Sequence, residues 1–171
     1  MNYSPSKITI FGPPGSGKTT LAKKIGQQLK LPVFHLDKFL WNKGWVLRPK
    51  QDFLADHLML MNLDTWIIEG ASRATLDIRY SKTDLVIYLN PSRPVCLIRI
   101  FKRFILNRTQ PSDKPDGCPE KISWEFIKYL WAFKKPASQQ IDILRAKYPD
   151  TKLIKIRSKR DLNKLKFKAL A

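Results

Sequence analysis

The 171 residues suffice for one compact domain that buries roughly two-thirds of its unfolded surface, and a content of 43% hydrophobic and 11% aromatic residues excludes disorder. No run reaches the ~18 apolar residues of a membrane span and residues 1–12 lack the apolar core of a signal peptide, so a cytoplasmic location without membrane contact is expected. Cys96 and Cys118 stand far apart with no Cys-x-x-Cys pair, which argues against a disulfide scaffold or a zinc-bearing lid, while a formal charge of +18 attracts nucleotides, nucleic acid, anionic lipid and acidic proteins alike.

Along the chain, Ile8-Thr9-Ile10-Phe11 is a short apolar run stopped by Gly12-Pro13-Pro14-Gly15, which predicts a buried strand ending in a turn. Leu21, Ile25 and Leu29 recur every four residues and predict an amphipathic helix over 17–29. Pro32 introduces a second strand, Val33 to Leu36, which ends at Asp37 in an aromatic-rich loop reaching Trp45. A helix over 50–62 leads to a third strand, Trp66-Ile67-Ile68, followed by Glu69-Gly70. Asp84 to Leu89 gives a fourth, stopped by Asn90-Pro91. A basic helix over 93–108, a proline-rich loop over 109–120, a long aromatic helix over 123–147 and a last strand over 152–156 complete the pattern. Ser158 is a candidate cap for a final helix, with Asp161 in its first turn. Short apolar strands alternating with helices predict an α/β fold, a parallel sheet covered on both faces with ligands at the strands' carboxyl ends. No repeat or linker divides residues 1–171, so a single domain is expected.

Gly12-Pro13-Pro14-Gly15-Ser16-Gly17-Lys18-Thr19 matches the phosphate-binding pattern G-x-x-x-x-G-K-[ST] in full, between a predicted strand and a predicted helix. Its glycines let the backbone curl so that successive N–H groups face inward, and the helix that starts here adds its positive end beneath an anion. Lys18 is placed to reach the β- and γ-phosphates of ATP, and the Thr19 hydroxyl to coordinate Mg²⁺, with Thr20 a weaker candidate.

A phosphate loop identifies the nucleotide and says little about its use. Asp37 ends a strand expected beside the first, which would bring its carboxylate near the γ-phosphate, to orient a metal-bound water or accept a hydroxyl proton. A simple turn aspartate is the competing reading. The phosphate loop, His35-Leu36-Asp37 with Trp41 and Gly44-Trp45, Trp66-Ile67-Ile68-Glu69-Gly70, and Gly117-Cys118-Pro119-Glu120 together resemble the bacterial topology modulation proteins, among the adenylate-kinase-like and shikimate-kinase-like P-loop kinases. The resemblance spans nearly the whole chain. It implies a three-layer P-loop fold with five parallel strands in the order 2-3-1-4-5, ATP on the loop, and a small helical lid, about 99–120, carrying arginines. Where the family commonly has aspartate, glycine, asparagine and tyrosine after strand three, this chain has Glu69-Gly70-Ala71-Ser72.

On that basis Glu69 and Gly70 lie where an acceptor or metal-linked water would sit, with Glu69 paired to Asp37. Arg73 is a candidate fork for an anionic group of the acceptor. Trp41 and Trp45 either cover the acceptor or anchor their loop to the core, and His35 packs at the strand end without a catalytic role. Arg99, Lys102 and Arg103 share one helix face, with Arg108 beyond them. In the resembling kinases lid arginines neutralise the transferring group, which makes Arg99 and Arg103 the catalytic candidates beside Lys18 and Asp37; a solvated basic face is the alternative. Arg157, after the last strand, falls where those kinases place their adenine-contacting loop. Lys159, Arg160, Lys164, Lys166 and Lys168 add a basic segment able to meet a nucleic-acid backbone. The expected activity is transfer of the ATP γ-phosphate to a nucleoside, nucleotide or other small hydroxyl acceptor. The competing reading is an ATP-responsive regulator that binds nucleic acid.

Overall fold

The computed structural model describes residues 5–106, 115–119 and 121–165. Five strands form the central sheet: β1 (Lys7–Phe11), β2 (Val33–His35), β5 (Trp66–Gly70), β6 (Leu85–Leu89) and β7 (Lys152–Ile156). Their spatial order is β2-β5-β1-β6-β7, and every pairing is parallel. Counted among the sheet's own strands this is the expected 2-3-1-4-5. β1 lies at the centre, so its carboxyl end, where the phosphate loop begins, opens between β5 and β6.

Alternation along the strands assigns the two faces. Ile8 and Ile10 of β1, Ile67 of β5, and Leu85, Ile87 and Leu89 of β6 pack on α1 (Lys18–Leu29) through Leu21, Ala22, Ile25 and Leu29. Phe11, Val86 and Tyr88 point the other way, onto Leu76 and Tyr80 of α4 (Leu76–Ser81) and Phe133, Ala137, Ile141 and Leu144 of α6 (Trp124–Lys147). Strands buried on both sides need apolar residues at every position, which is why β5 and β6 read as continuous runs. Between β2 and β5 the chain forms α2 (Leu36–Leu40), the two-residue strands β3 (Trp41–Asn42) and β4 (Val46–Leu47), and α3 (Lys50–Met61). α3 and α2 close a third cluster with Phe53, Met61, Leu36, Trp66 and Ile68.

Two local departures from the sequence reading have physical causes. The aromatic stretch 39–45, expected as a loop, contains the end of α2 and an antiparallel hairpin pairing Trp41 with Leu47 and Asn42 with Val46. The segment after Gly70 holds the six-residue α4, anchored by buried Leu76 and Tyr80. The basic helix, α5, runs over Arg93–Ile105, and Arg108 and residues 109–114 lie outside the described residues. At the chain's end Ser158 caps α7 (Lys159–Asn163) in a reciprocal box with Asp161. Among the described residues no helix is long and apolar enough to cross a membrane.

Candidate functional site

The phosphate loop is shaped by positions no side chain could occupy. A Cβ on Gly12 would stand 2.4 Å from the Leu89 carbonyl oxygen, and one on Gly15, at φ 71°, 2.5 Å from that of Cys96. Both obstacles are backbone, so substitution must move a strand end or α5. Gly17, at φ 96°, occupies the N-cap position of α1. Pro13 is buried and Pro14 half-buried in the loop wall. Ser16 is buried, and among the described residues its hydroxyl has no partner. Lys18 is buried with its ammonium donating to the Pro13 carbonyl at 3.1 Å. Such a nest of backbone amides, a lysine and an unpartnered hydroxyl fits a phosphate chain.

Glu69, 5% exposed at the end of β5, is the hub of the site. One oxygen, Oε1, accepts from the Thr19 hydroxyl at 3.0 Å and lies 2.8 Å from His35 Nδ1. Burial alone would raise this carboxyl. The His35 hydrogen bond and the Lys18 charge, with His35 charge and Thr19 adding, instead hold its pKa below the usual glutamate value. Asp37 goes the other way. Although the residue is exposed at the cleft rim, the protein packed round its carboxyl raises the pKa above the aspartate norm, and the repulsion of Glu69 adds to this. Lys18, then Arg79 and His35, pull against it. Two carboxyls with opposite shifts beside one lysine form the arrangement that separates a permanent anion from a proton acceptor.

Arg99 is exposed on α5 and donates to the Ser16 carbonyl at 2.9 Å, lying over Gly17. The sequence placed it on the helix after the fourth strand, and the fold brings that helix against the phosphate loop. Arg103, a turn further, is exposed. Arg73 is tied to α6: its Nε donates to Gln140 Oε1 at 3.2 Å, and Gln140 returns a bond to the Arg73 carbonyl. Gly70 is buried, where a Cβ would meet Leu36 Cβ at 2.6 Å, so packing against α2 sets its identity. Trp41 is half-buried and stacks edge to face with Trp45 at 5.6 Å. Thr20 is exposed on α1, and Arg157 is exposed after β7, its backbone N–H held by Asp161.

Three groups near the acids have a place the sequence did not reveal: His35, read only as packing at a strand end, and Arg79 and Tyr129, which were not singled out. His35 bonds Glu69 across 34 positions of chain. Arg79 is fully buried on α4, its Nη2 donating to the Ser72 carbonyl at 2.6 Å while its charge acts on Glu69 and Asp37. Its signal was a charge three residues after Leu76, on a helix face that is otherwise apolar. Tyr129 of α6 is exposed as a residue, yet the protein packed round its hydroxyl, and then Asp37, push it up to about 12, with Arg73 opposing. No group of three or more histidine, cysteine or acidic residues able to hold a metal occurs among the described residues.

Residues 8–59 match the model of the ATPase family associated with various cellular activities, over β1, the phosphate loop, α1 and the region through α3. No curated protein matches the sequence. Among solved structures, a shikimate kinase from Acinetobacter baumannii in complex with shikimate is similar at TM-score 0.59 and 16% identity, covering 95% of this chain and 90% of its own. A gluconokinase from Sinorhizobium meliloti 1021 is similar at TM-score 0.56 and 15% identity, covering 90% of this chain and 84% of its own. With the strand order and the strand–loop–helix at its centre, this likeness over nearly the full length identifies the fold as that of the P-loop NTPases.

Proposed function

We propose that the protein is a phosphotransferase that moves the γ-phosphate of ATP to a small hydroxyl-bearing acceptor. The observation carrying this reading is the pair of acids with opposite pKa shifts beside Lys18 at the carboxyl ends of β2 and β5. Lys18 leaves the Pro13 carbonyl to meet the phosphates, and the backbone N–H groups of residues 15–19 hold them. Mg²⁺ fits the donor set, since it takes one or two protein ligands and fills its shell with phosphate oxygens and water, so Thr19 with Glu69 behind it suffices. When bound it supplies charge neutralisation between the phosphates. Asp37, the more proton-avid acid, accepts the acceptor's hydroxyl proton, and Arg99 with Arg103 offsets charge on the group in transit. Arg157, Arg73 and Trp41 are assigned to the adenine and acceptor ends by position. Two solved neighbours are named for kinases of small hydroxy acids, shikimate and gluconate, which supports an acceptor of that size. The kinship with topology modulation proteins is supported by a contact between two of its motifs, Trp45 with Cys118 and Pro119.

The test is transfer of labelled γ-phosphate from ATP with Mg²⁺ to a panel of nucleosides, nucleotides and hydroxy acids, with Lys18→Ala as the control. Asp37→Asn is expected to keep ATP binding and lose about 10²–10⁴-fold in turnover. Lys18-dependent ATP binding with no transfer to any acceptor would overturn the reading.

A further inference from the structure

The β3–β4 hairpin and residues 115–119 lie about 70 positions apart in the chain and are clasped together. The Gly44 N–H donates to the Gly117 carbonyl at 3.0 Å, and Trp45 Nε1–H to that of Pro119 at 2.8 Å. The Trp45 backbone N–H donates to Cys118 Sγ, whose own thiol donates to the Asn42 carbonyl at 3.2 Å. Trp45 is held at φ 65°, a left-handed conformation rare for a bulky side chain, so the clasp fixes a backbone that would not choose it.

Between the two clasped walls, one residue beyond Asp37, is a cavity of about 520 Å³ lined by Lys38, Trp41, Lys43, Asp116 and Gly117 among others. Its volume is that of a small-molecule site. Gly117, at φ 66°, leaves space that the Lys43 stem uses, since a Cβ there would come within 2.4 Å of Lys43 Cγ. The stem therefore lies on the glycine, and Lys43 is one of the residues lining the cavity. Among the described residues the charged groups lining the cavity are Lys38, Lys43 and Asp116, which sum to a net positive charge. A neutral ligand filling it would leave at least one of these lysines without a counter-charge among the described residues, which an anionic ligand supplies. Arg73, the arginine first suggested for the acceptor's anion, is engaged with Gln140 on α6.

We propose that this cavity receives the anionic end, a carboxylate or a phosphate, of the phosphoryl acceptor, with Lys38 and Lys43 as its charged contacts and Trp41 as the surface for its carbon skeleton. The proposal rests on the phosphotransferase reading and narrows its acceptor to anions. Asp37 and Lys38 are neighbours on α2, so one short helix presents the proton acceptor to the reacting hydroxyl and a cation to the distant charged group.

The test saturates the full-length protein with the non-hydrolysable analogue AMP-PNP and Mg²⁺, then titrates matched probes by calorimetry and tryptophan fluorescence. The probes are uridine against uridine 5′-monophosphate, and glucose against glucuronate and glucose 6-phosphate. At least one anion is expected to bind about tenfold or more tightly than its neutral partner, as a charge-assisted contact provides. Preference for phosphate or for carboxylate identifies the source of the charge. Lys43→Met and Lys38→Met should each reduce that preference, and Trp41→Phe should remove the fluorescence change. Equal binding of neutral and anionic partners, binding of AMP-PNP but of no probe, or a preference that survives both lysine substitutions would overturn the proposal. Failure of AMP-PNP itself to bind would instead remove the phosphotransferase reading beneath it.

Discussion

Arg79 is fully buried, yet its Nε and Nη1 have no hydrogen-bond partner among the described residues, and burial lowers its pKa to about 10 against the pull of Glu69 and Asp37. Its counter-charges are thus the two acids of the site, and it packs over the Phe11 ring at the last residue of β1. Removing one member of a buried charged group leaves the others uncompensated, at about 3–5 kcal/mol. Arg79→Met should cost about 3 kcal/mol by urea denaturation; a loss under about 0.5 kcal/mol, the range of an exposed substitution, would show that the acids do not depend on it. His57 gives a second, pH-dependent test. It is buried on α3 with neither ring nitrogen bonded among the described residues, and burial followed by the Arg79 charge lowers its pKa from 6.5 to about 3. Between those values the unfolded chain holds a proton the folded chain refuses, so stability falls as pH drops from 6.5 towards 3, by at most about 1.4 kcal/mol per unit. His57→Phe should flatten the dependence in that window; an unchanged slope would assign the acid loss elsewhere.

At the scale of elements, α1 meets the sheet through a glycine that helix propensity would reject. A Cβ on Gly26 would stand 2.5 Å from Val33 Cγ2 and 3.1 Å from the Leu31 carbonyl. Exchange for alanine gains about 1 kcal/mol of propensity but overpacks the contact between α1 and β2, which costs about 1–3 kcal/mol. Gly26→Ala is therefore expected to lower the urea midpoint, and a rise would mean that β2 yields freely. This glycine was not read from the sequence, because only β2's position reveals the crowding. β1, the phosphate loop and α1 were legible, since a short apolar run, a glycine pattern and a four-residue period coincide within 23 positions, Lys7 to Leu29. The β3–β4 hairpin was not. Two-residue strands are too short to display alternation, and the bonds that steady them, from Trp45 to Cys118 and Pro119, span 73 and 74 positions. Asp37 and Glu69 were found as strand-end acids, whereas their opposite pKa shifts arise from burial and the Glu69 charge at Asp37 and from the His35 hydrogen bond and Lys18 charge at Glu69, which only the fold assembles.

For the whole molecule, 32 lysines and arginines face 14 acidic residues, and two of those acids, Asp37 and Glu69, are committed to the site. The exposed ion pairs Lys147–Asp77 and Lys155–Asp142 occupy two more, and such pairs contribute only about 0–1 kcal/mol each. The excess cations cannot be paired locally, so the net effect of surface charge is self-repulsion in the compact state. Screening length falls from about 10 Å at 0.1 M salt to about 3 Å at 1 M, which weakens repulsion spread over the surface more than contacts within 3 Å. The thermal midpoint should therefore rise by about 3 °C or more between ~20 mM and ~500 mM NaCl, since about 1 kcal/mol shifts a domain of this size by about 2–4 °C. The same screening should weaken AMP-PNP binding, because part of that affinity is long-range attraction to the positive surface. Differential scanning fluorimetry across the salt series checks the first effect and calorimetry the second. A midpoint that falls with salt would mean that local ion pairs outweigh the net charge of +18.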